Sequence, residues 1–311
     1  MNWQSTPGLE AAFALWLCAL GLVIGSFLNV VIARVPHGQS VVRPRSRCPR
    51  CGHQLSAWEN IPVLSWLLLR GRCRGCRLPI SWRYPAVELL TGLLFLAALR
   101  RFDWSPELPM ALVLICLLIP LTFIDLEHWI LPFSLTLPGI AAGLLVTAPL
   151  GLERWLASLI GAVAGFFVFW ALEWLGEKIF KKEALGGGDK YLLALIGAFL
   201  SWKALLGVIF LASLQGALVG TALLLVRGRA GPAPEEGTPA QPPPDAAAPA
   251  AAAPETAEAP ESAEEDDWEP GPTNIPFGPW LSIAALELLL LGPALVRWLP
   301  EGFALLLPAA G

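Results

Sequence analysis

Apolar segments recur along almost the whole of this 311-residue chain, and they constrain its fold more than any other feature. A helix that spans a bilayer needs about 20 predominantly apolar residues. Eight stretches approach that length: residues 11–33, 85–99, 107–124, 130–150, 155–175, 191–202, 204–226 and 276–298. Because 55% of all residues are apolar, an ordinary soluble domain is excluded. The sequence predicts an all-α polytopic membrane protein with about eight transmembrane helices.

The Lys and Arg residues predict how these helices are oriented. Loops on the cytoplasmic side of a membrane carry an excess of both residue types. If the N-terminus lies outside and all eight segments cross, 16 of the 21 Lys and Arg residues fall on the cytoplasmic side. The 12-residue segment 191–202 is the weakest step, because so short a run can also be re-entrant. On the crossing topology, Asp125 and Asp189 both lie at the cytoplasmic face.

Two polar stretches divide the chain into five parts. Residues 34–84, rich in Arg and Cys, follow a first helix (1–33) and form a small cytoplasmic module, here called the Cys module. Residues 230–274 are rich in Pro, Ala and Glu and lack the apolar content for a core, so we expect a disordered linker. A transmembrane core (85–229) lies between these stretches, and a last transmembrane helix with its tail (275–311) follows them.

The Cys module contains two C-x2-C pairs, Cys48 with Cys51 and Cys73 with Cys76. Four thiolates in two such pairs suit a tetrahedral zinc ion, and four protein ligands leave no open position for catalysis. A cytoplasmic location disfavours disulfides between them. The pattern therefore predicts structural zinc, with redox chemistry or four free thiols as alternatives. His53 lies inside the module, as a substitute ligand or as an ordinary solvated residue.

Two Asp residues stand at the ends of apolar segments. Asp125 closes the run ALVLICLLIPLTFID, and Asp189 follows Gly186, Gly187 and Gly188. A carboxylate at a membrane segment is costly and usually functional. If the two lie together they form an aspartic dyad, in which one carboxyl holds a proton because two adjacent charges repel. The charged member then activates a water, and the protonated member polarises an amide carbonyl.

Each Asp also has an ordinary explanation. Asp125 is acceptable as a polar residue where a helix leaves the membrane, and Asp189 is a favoured N-cap before the run YLLALIGAF. The glycines before Asp189 are expected to let the backbone pass close to a substrate or to the partner carboxylate, because glycine has no side chain and a wide φ range. Glu127 is an interfacial acid that is easily mistaken for a catalytic residue.

Several motifs together resemble the type IV prepilin peptidases, bifunctional membrane enzymes of the G-x-G-D aspartic protease class. The motifs are GSFLNVVIARVP (25–36), CPRCGHQLSAWENIPVLSWLLLRGRCRGC (48–76), ISWRYPAVELLTG (80–92), DLEHWILPFSLTLPG (125–139), LGGGDKYLLALIGAFLSW (185–202) and NIPFGPWL (274–281). They follow one another along nearly the whole chain, except for residues 230–273.

This resemblance implies an activity and assigns its residues. Family members cut the short basic leader from type IV prepilins and type II secretion pseudopilins at the cytoplasmic face of the bacterial inner membrane. Many then N-methylate the new N-terminus with S-adenosylmethionine. On this pattern Asp125 and Asp189 are the catalytic pair, and the four cysteines of the Cys module are the metal tetrad of the bifunctional members. The resemblance places the methyltransferase in the N-terminal part and the cytoplasmic loop, which here is the Cys module (34–84). No sequence pattern identifies an S-adenosylmethionine site, and no nucleic-acid partner is expected.

The chain departs from the family pattern at two places. Members usually carry Asp directly after the Leu-Pro of the first motif, where this chain has Phe133. The second Asp is usually followed by x-K-L, whereas here the order is Lys190, Tyr191, Leu192. Neither change removes a catalytic carboxylate, but the second moves the Lys by one position, about 100° around a helix.

Three other functions stay open on the sequence. One is a peptidase without methyltransferase activity, whose zinc loop serves structure or substrate docking. Another is a non-enzymatic membrane assembly or scaffold protein, and a third is a transporter in which the two Asp residues relay protons. A transporter needs continuous polar residues through the membrane, and the sequence shows few.

Overall fold

The computed structural model describes residues 7–180, 186–227 and 275–296. These residues form nine α-helices with short 3-10 turns, and two isolated bridges are the only β-structure among them. The helices are α1 (Pro7–Arg34), α2 (Leu64–Leu68), α3 (Arg83–Phe102), α4 (Glu107–His128), α5 (Phe133–Thr147), α6 (Leu152–Phe180), α7 (Asp189–Leu200), α8 (Trp202–Arg227) and α9 (Gly278–Val296). Apart from the short α2, each coincides with one apolar segment, so the predicted all-α fold class is confirmed.

Five regions are long and apolar enough to cross a membrane, which makes the protein a multi-pass membrane protein. They are Gly8–His37, Glu107–His128, Phe133–Leu150, Leu152–Gly176 and Trp202–Arg227. Within the described residues, α3, α7 and α9 do not meet the same measure of length and apolarity. The number of eight spans therefore stays a prediction.

Helix α7 is the short element on which the topology depends. Its 12 residues extend about 18 Å, against a hydrocarbon core of about 30 Å. Every residue from Leu192 to Leu200 is buried, mainly against α5 and α6. The backbone turns at Ser201, whose φ is 73°, directly into α8. α7 is thus shielded from lipid by protein, and its crossing of the membrane is still a prediction.

Helices α6 and α7 touch through glycine. A Cβ on Gly197 would collide with the carbonyl oxygen of Gly161, and a Cβ on Gly161 would collide with that of Gly197. One turn away, a Cβ on Gly165 would lie 2.6 Å from the carbonyl oxygen of Leu193. Small residues hold helices together in lipid because they let the backbones pack closely. This contact fixes α7 and therefore the position of Asp189, its first residue.

The Cys module folds back onto the adjoining ends of α1 and α3. At the end of α1, the guanidinium of Arg34 donates to the carbonyl oxygens of Ser40 and Pro44, each at 2.8 Å. The backbone N–H of Val63 donates to Oε2 of Glu88 on α3 at 2.7 Å. Both helices therefore hold the module by hydrogen bonds to its backbone.

The chain divides into two compact units, and one boundary between them falls within α8, after Gly216. Ala217–Ile275 form one unit, and the remaining residues form the other. Within the larger unit, α4 packs against α1, α3, α5 and α9, and Gln215 of α8 donates a hydrogen bond to Glu287 of α9. The predicted linker, 230–274, lies outside the described residues.

Candidate functional site

Helices α4 and α7 bring Asp125 and Asp189 into one buried site. Asp125 lies in the last turn of α4, and Asp189 is the first residue of α7. Their exposed fractions are only 6% and 5%. The same residue, Gly278, adjoins both ends: a Cβ there would meet Oδ2 of Asp125 and Cδ2 of Leu192, one turn after Asp189. The two Asp residues predicted to form a dyad, far apart in the sequence, therefore meet in the fold.

Neither ordinary explanation for these residues fits the structure. A polar residue that merely marks the end of a span would face water, whereas Asp125 is buried. Its Oδ2 has no hydrogen-bond partner among the described residues. The N-cap position of α7 is occupied by Gly188 rather than by Asp189. Buried polar atoms without a partner are rare in proteins and are often catalytic.

Gly278, the first residue of α9, forms a further wall of the site that the sequence analysis missed. Its backbone amide faces the carboxylate of Asp125, and a Cβ at this position would collide with Oδ2. The same Cβ would lie 3.4 Å from Cδ2 of Leu192 on α7. α9 therefore approaches Asp125 closely because residue 278 has no side chain. A Gly-Pro pair before an apolar run indicates a helix start, but it does not indicate this neighbour.

The glycine loop before α7 depends on the small size of glycine at one position. A Cβ on Gly188 would lie 2.8 Å from Cβ of Leu131, in the segment that follows α4. The φ of Gly188 is −82°, which is an ordinary helical value. On Gly186, a Cβ would make only ordinary contact, 3.6 Å from Oδ2 of Asp189. The expected wide φ range is therefore not used at Gly188, and its close neighbour is Leu131, whereas the approach to a substrate or to the partner carboxylate stays a prediction.

Lys190 forms an ion pair next to the dyad rather than with it. Its Nζ lies 2.7 Å from Oε2 of Glu173 on α6, and both side chains are about four-fifths buried. Glu173 lies beside the glycine loop before Asp189, since a Cβ on Gly187 would be 3.7 Å from its Oε1. Lys190 therefore neutralises an additional acid beside the two carboxylates.

The two departures from the family pattern contact each other. The rings of Phe133 and Tyr191 meet edge to face with their centroids 4.9 Å apart, and Phe166 lies 5.4 Å from Tyr191. In the usual pattern these two positions hold Asp and Lys, which have opposite charges. An aromatic pair contributes about 0.5–1.5 kcal/mol beyond its buried area. At these two positions this chain therefore has aromatic rings that contact each other.

The four cysteines form a cluster of the size of a metal site. Their Sγ atoms all lie within 4.8 Å of one another, and the Cys48–Cys76 and Cys51–Cys73 pairs are both 3.9 Å apart. A tetrahedral zinc ion with bonds of about 2.3 Å holds its sulfurs about 3.8 Å apart. All four thiols are free of disulfide bonds. The tetrad can therefore bind a metal ion without rearrangement.

Both C-x2-C pairs lie on the same kind of backbone turn. The N–H of Cys48 donates to the carbonyl oxygen of His53, and the N–H of Cys73 donates to that of Leu78, each at 2.9 Å. Backbone amides of Cys51 and Arg50 donate to the sulfur of Cys48 and lower its pKa to about 6. A thiolate at neutral pH is the form that binds a metal. The backbone, rather than the neighbouring arginine side chains, supplies this effect.

His53 is a partner of Glu59 and not a substitute ligand. Its Nε2 lies 3.1 Å from Oε1 of Glu59. The other oxygen of Glu59 accepts the backbone N–H of Ser56 at 2.9 Å and its hydroxyl at 2.7 Å. These bonds, those from Ser56 first, lower the pKa of Glu59 to about 2. The pair closes the loop between the two cysteine turns.

Two contacts connect the Cys module to the end of α4 that carries Asp125. Arg83 pairs with Glu127 through Nη1, and the rings of His37 and His128 meet edge to face at 5.3 Å. Glu127 thus joins α3 to α4 and is a bridging residue, as distinct from the buried Asp125 two positions earlier. The module and the dyad therefore share one end of α4.

Comparisons with known proteins identify relatives over the full length of the chain. Residues 19–102 match the bacterial peptidase A24 N-terminal domain, and residues 112–221 match the type IV leader peptidase family. The chain is 54% identical to the prepilin leader peptidase/N-methyltransferase of Myxococcus xanthus, with 99% of each chain covered. It is 39% identical to the protein of that name from Aeromonas hydrophila, with 91% and 92% covered. No solved structure matches. The chain therefore belongs to the type IV leader peptidase family.

Proposed function

We propose that this protein removes the leader from type IV prepilins and type II secretion pseudopilins and then N-methylates the new N-terminus. The observation that carries the proposal is the pair of buried, neighbouring carboxylates, Asp125 and Asp189, contributed by two helices. The names of the relatives support both activities. A scaffold protein has no use for an unpaired buried carboxylate oxygen such as Oδ2 of Asp125.

Asp125 and Asp189 share one proton in the proposed peptidase reaction. The charged carboxylate accepts a proton from a water molecule, whose oxygen attacks the carbonyl carbon of the scissile peptide bond. The protonated carboxyl donates to the carbonyl oxygen, and a proton then passes to the leaving amine as the C–N bond breaks. The backbone of Gly278 against Asp125 holds that carboxylate in position.

The substrate and the orientation follow from the same site. The apolar helix of a prepilin can lie in the bilayer beside the spans of the enzyme, while its basic leader stays outside the hydrocarbon. The scissile bond then lies at the interface. Asp125, in the last turn of α4, and Asp189, the first residue of α7, lie at this level. The excess of Lys and Arg on this side supports a bacterial inner-membrane protein with its dyad facing the cytoplasm.

The methyltransferase reaction requires a methyl donor, and we propose S-adenosylmethionine. The neutral N-terminal amine attacks the methyl carbon, and a C–N bond forms as the C–S bond breaks. The electron pair of the broken bond stays on sulfur, which leaves as neutral S-adenosylhomocysteine, and the methylated ammonium releases one proton to water. The four cysteines hold a structural zinc ion that stabilises the Cys module and supplies no reacting group.

Replacing either candidate catalytic residue, Asp125→Asn or Asp189→Asn, should lower the rate of leader cleavage at least about 100-fold, because general acid–base catalysis contributes roughly 10²–10⁴. Mass spectrometry of a prepilin peptide incubated with the purified variants measures this loss. Glu127→Gln is the matched control, and its rate should stay within about twofold because exposed ion pairs contribute little. Full cleavage by either Asp variant would contradict the dyad.

Gly278→Ala should lower the rate of cleavage at least about tenfold, because its Cβ would displace the carboxylate of Asp125. Gly292→Ala on the same helix is the control, since a Cβ there meets nothing within 4 Å. Methylation of a peptide that is already cleaved should survive in both variants and show that they are folded. Unchanged cleavage by Gly278→Ala would mean that α9 does not position Asp125.

The contact between Phe133 and Tyr191 predicts coupled effects. Phe133→Asp alone should reduce thermal stability and cleavage, because it places a carboxylate without a partner against the ring of Tyr191. The double variant Phe133→Asp/Tyr191→Lys should recover most of both, since it restores the charge pair of the usual family pattern. A double-mutant cycle on the melting temperature measures the coupling. Strictly additive effects would mean that the two positions are independent.

Purified, reduced protein should contain about one zinc ion per chain, because the four Sγ atoms already have tetrahedral spacing. The variant Cys48→Ser/Cys73→Ser should lose the metal and lose at least as much methylation as cleavage. Cys18→Ala/Cys116→Ala is the control, since neither residue belongs to the tetrad, and it should keep the metal. Elemental analysis that finds no zinc in the wild-type protein would contradict the site.

A further inference from the structure

A cavity of about 750 Å³ lies between the Cys module and the ends of α1 and α3. It is lined by side chains of α1, of α3 and of the module, and among them are Asn29, Arg34, Trp66, Tyr84 and Glu88. We propose that this cavity is the binding site of the methyl donor, S-adenosylmethionine. The inference rests on the proposed methyltransferase function and gives that function a location.

The size and position of the cavity suit a small molecule. Sites for small ligands measure about 300–1,000 Å³ and combine an apolar lining with a few polar groups. Asp125, Asp189 and Gly278 are not among its lining residues, so the cavity is distinct from the dyad. It is therefore a second site, formed jointly by the Cys module and the helices that hold it.

Asn29 presents an unused hydrogen-bond acceptor at this cavity. The residue is only 3% exposed, and its Nδ2 donates to the carbonyl oxygens of Tyr84 at 3.0 Å and Gly25 at 3.3 Å. These two bonds fix the amide, yet Oδ1 is buried and has no partner in the part of the chain that the structure describes. Buried polar atoms are nearly always paired in proteins. The amino group of an adenine or a ribose hydroxyl is a suitable donor.

Glu88 presents a buried carboxyl group at the same cavity. It is 8% exposed, and one of its oxygens accepts the backbone N–H of Val63 at 2.7 Å. None of the ion pairs found among the described residues includes Glu88. A buried carboxylate is stabilised by a cationic partner. S-adenosylmethionine carries two cations, a sulfonium and an ammonium, and its carboxylate can meet the arginines that also line the cavity, Arg34, Arg47, Arg50 and Arg74.

Arg34 and Trp66 complement the remaining parts of the donor molecule. Arg34 uses two N–H groups on the carbonyl oxygens of Ser40 and Pro44, and a guanidinium has five, so donors are left for a carboxylate. Trp66 donates from Nε1 to the carbonyl oxygen of Ile80 at 3.2 Å, which orients its ring in the cavity wall. An oriented indole ring offers a flat face on which an adenine can stack.

The Cys module, which forms one wall of the cavity, also contacts the end of α4 that carries Asp125. Peptide cleavage at the dyad leaves the new N-terminus at the end of α4, and the Arg83–Glu127 and His37–His128 contacts hold the module against that end. Methyl transfer requires the amine nitrogen to come within about 3–3.5 Å of the methyl carbon. If the donor binds in this cavity, the Cys module can stay in the position seen in the structure during methyl transfer.

The test is equilibrium binding of radiolabelled S-adenosylmethionine and S-adenosylhomocysteine to the full-length protein in phosphatidylcholine nanodiscs. The wild-type protein should bind about one molecule per chain. Glu88→Gln keeps the shape and the acceptor for Val63 but removes the charge, and it should weaken S-adenosylmethionine binding at least about tenfold. Weakening of both ligands assigns Glu88 to the ammonium, which both carry, and weakening of S-adenosylmethionine alone assigns it to the sulfonium; either result supports the site.

Glu10→Gln is the control, because it also removes one negative charge but lies in the first turn of α1, outside the cavity. It should bind within about twofold of the wild-type protein. Ultraviolet cross-linking of the labelled donor, mapped by mass spectrometry, should label peptides that contain Trp66 or Tyr84. Prepilin cleavage at the wild-type rate shows that each variant is folded.

Two results would overturn the proposal in distinguishable ways. If the wild-type protein methylates and binds the donor, but Glu88→Gln binds it equally well and the cross-links map elsewhere, the cavity is not the site and the proposed function stands. If the wild-type protein cleaves prepilin but neither methylates it nor binds the donor, the methyltransferase function itself is wrong, and the cavity assignment fails with it.

Discussion

The burial of two neighbouring carboxylates at the ends of apolar helices is the constraint on which the rest of the structure depends. Removing a carboxylate from water costs several kcal/mol, and a second carboxylate beside it adds repulsion. Close backbone contacts keep the arrangement in place: Gly278 against Asp125, Gly188 before Asp189, and Gly197 within α7. None of these three positions accepts a methyl group without a shift of its neighbours. Glycine at these positions allows the backbones to pack closely enough for Asp125 and Asp189 to be buried in one site.

Local features of the sequence were sufficient to predict the helices and the metal-binding cluster. Apolar runs of span length become helices in any fold, and a C-x2-C pair fixes its own turn, so Cys48 and Cys73 behave as predicted. Gly278 was missed because its role depends on a neighbour from a distant part of the chain. The span count is equally non-local, since α7 is buried by α5 and α6 and its 12 residues can be apolar for that reason alone.

The exchange at Phe133 and Tyr191 shows why a departure from a family pattern has to be judged in three dimensions. In the sequence the two changes look like separate losses, one of an acid and one of a base. In the structure the rings are 4.9 Å apart, and they join α5 to α7 next to Asp189. Tyr191, two positions after Asp189, therefore packs against the rings of Phe133 and Phe166. Lys190, displaced by one place, has found a separate partner in Glu173.

The order of the two proposed reactions explains why the Cys module has to be held close to the peptidase helices. An N-terminal amine exists only after the peptide bond has been cut, so methylation must follow cleavage on the same chain end. A loop module of this size buries too little apolar surface to be stable alone, and a metal ion bound by four cysteines is a usual remedy. Held by that cluster and by the Arg83–Glu127 pair, the module forms one wall of a cavity whose other walls are α1 and α3. On the proposed assignment, a freed pilin N-terminus reaches the methyl donor without leaving the enzyme.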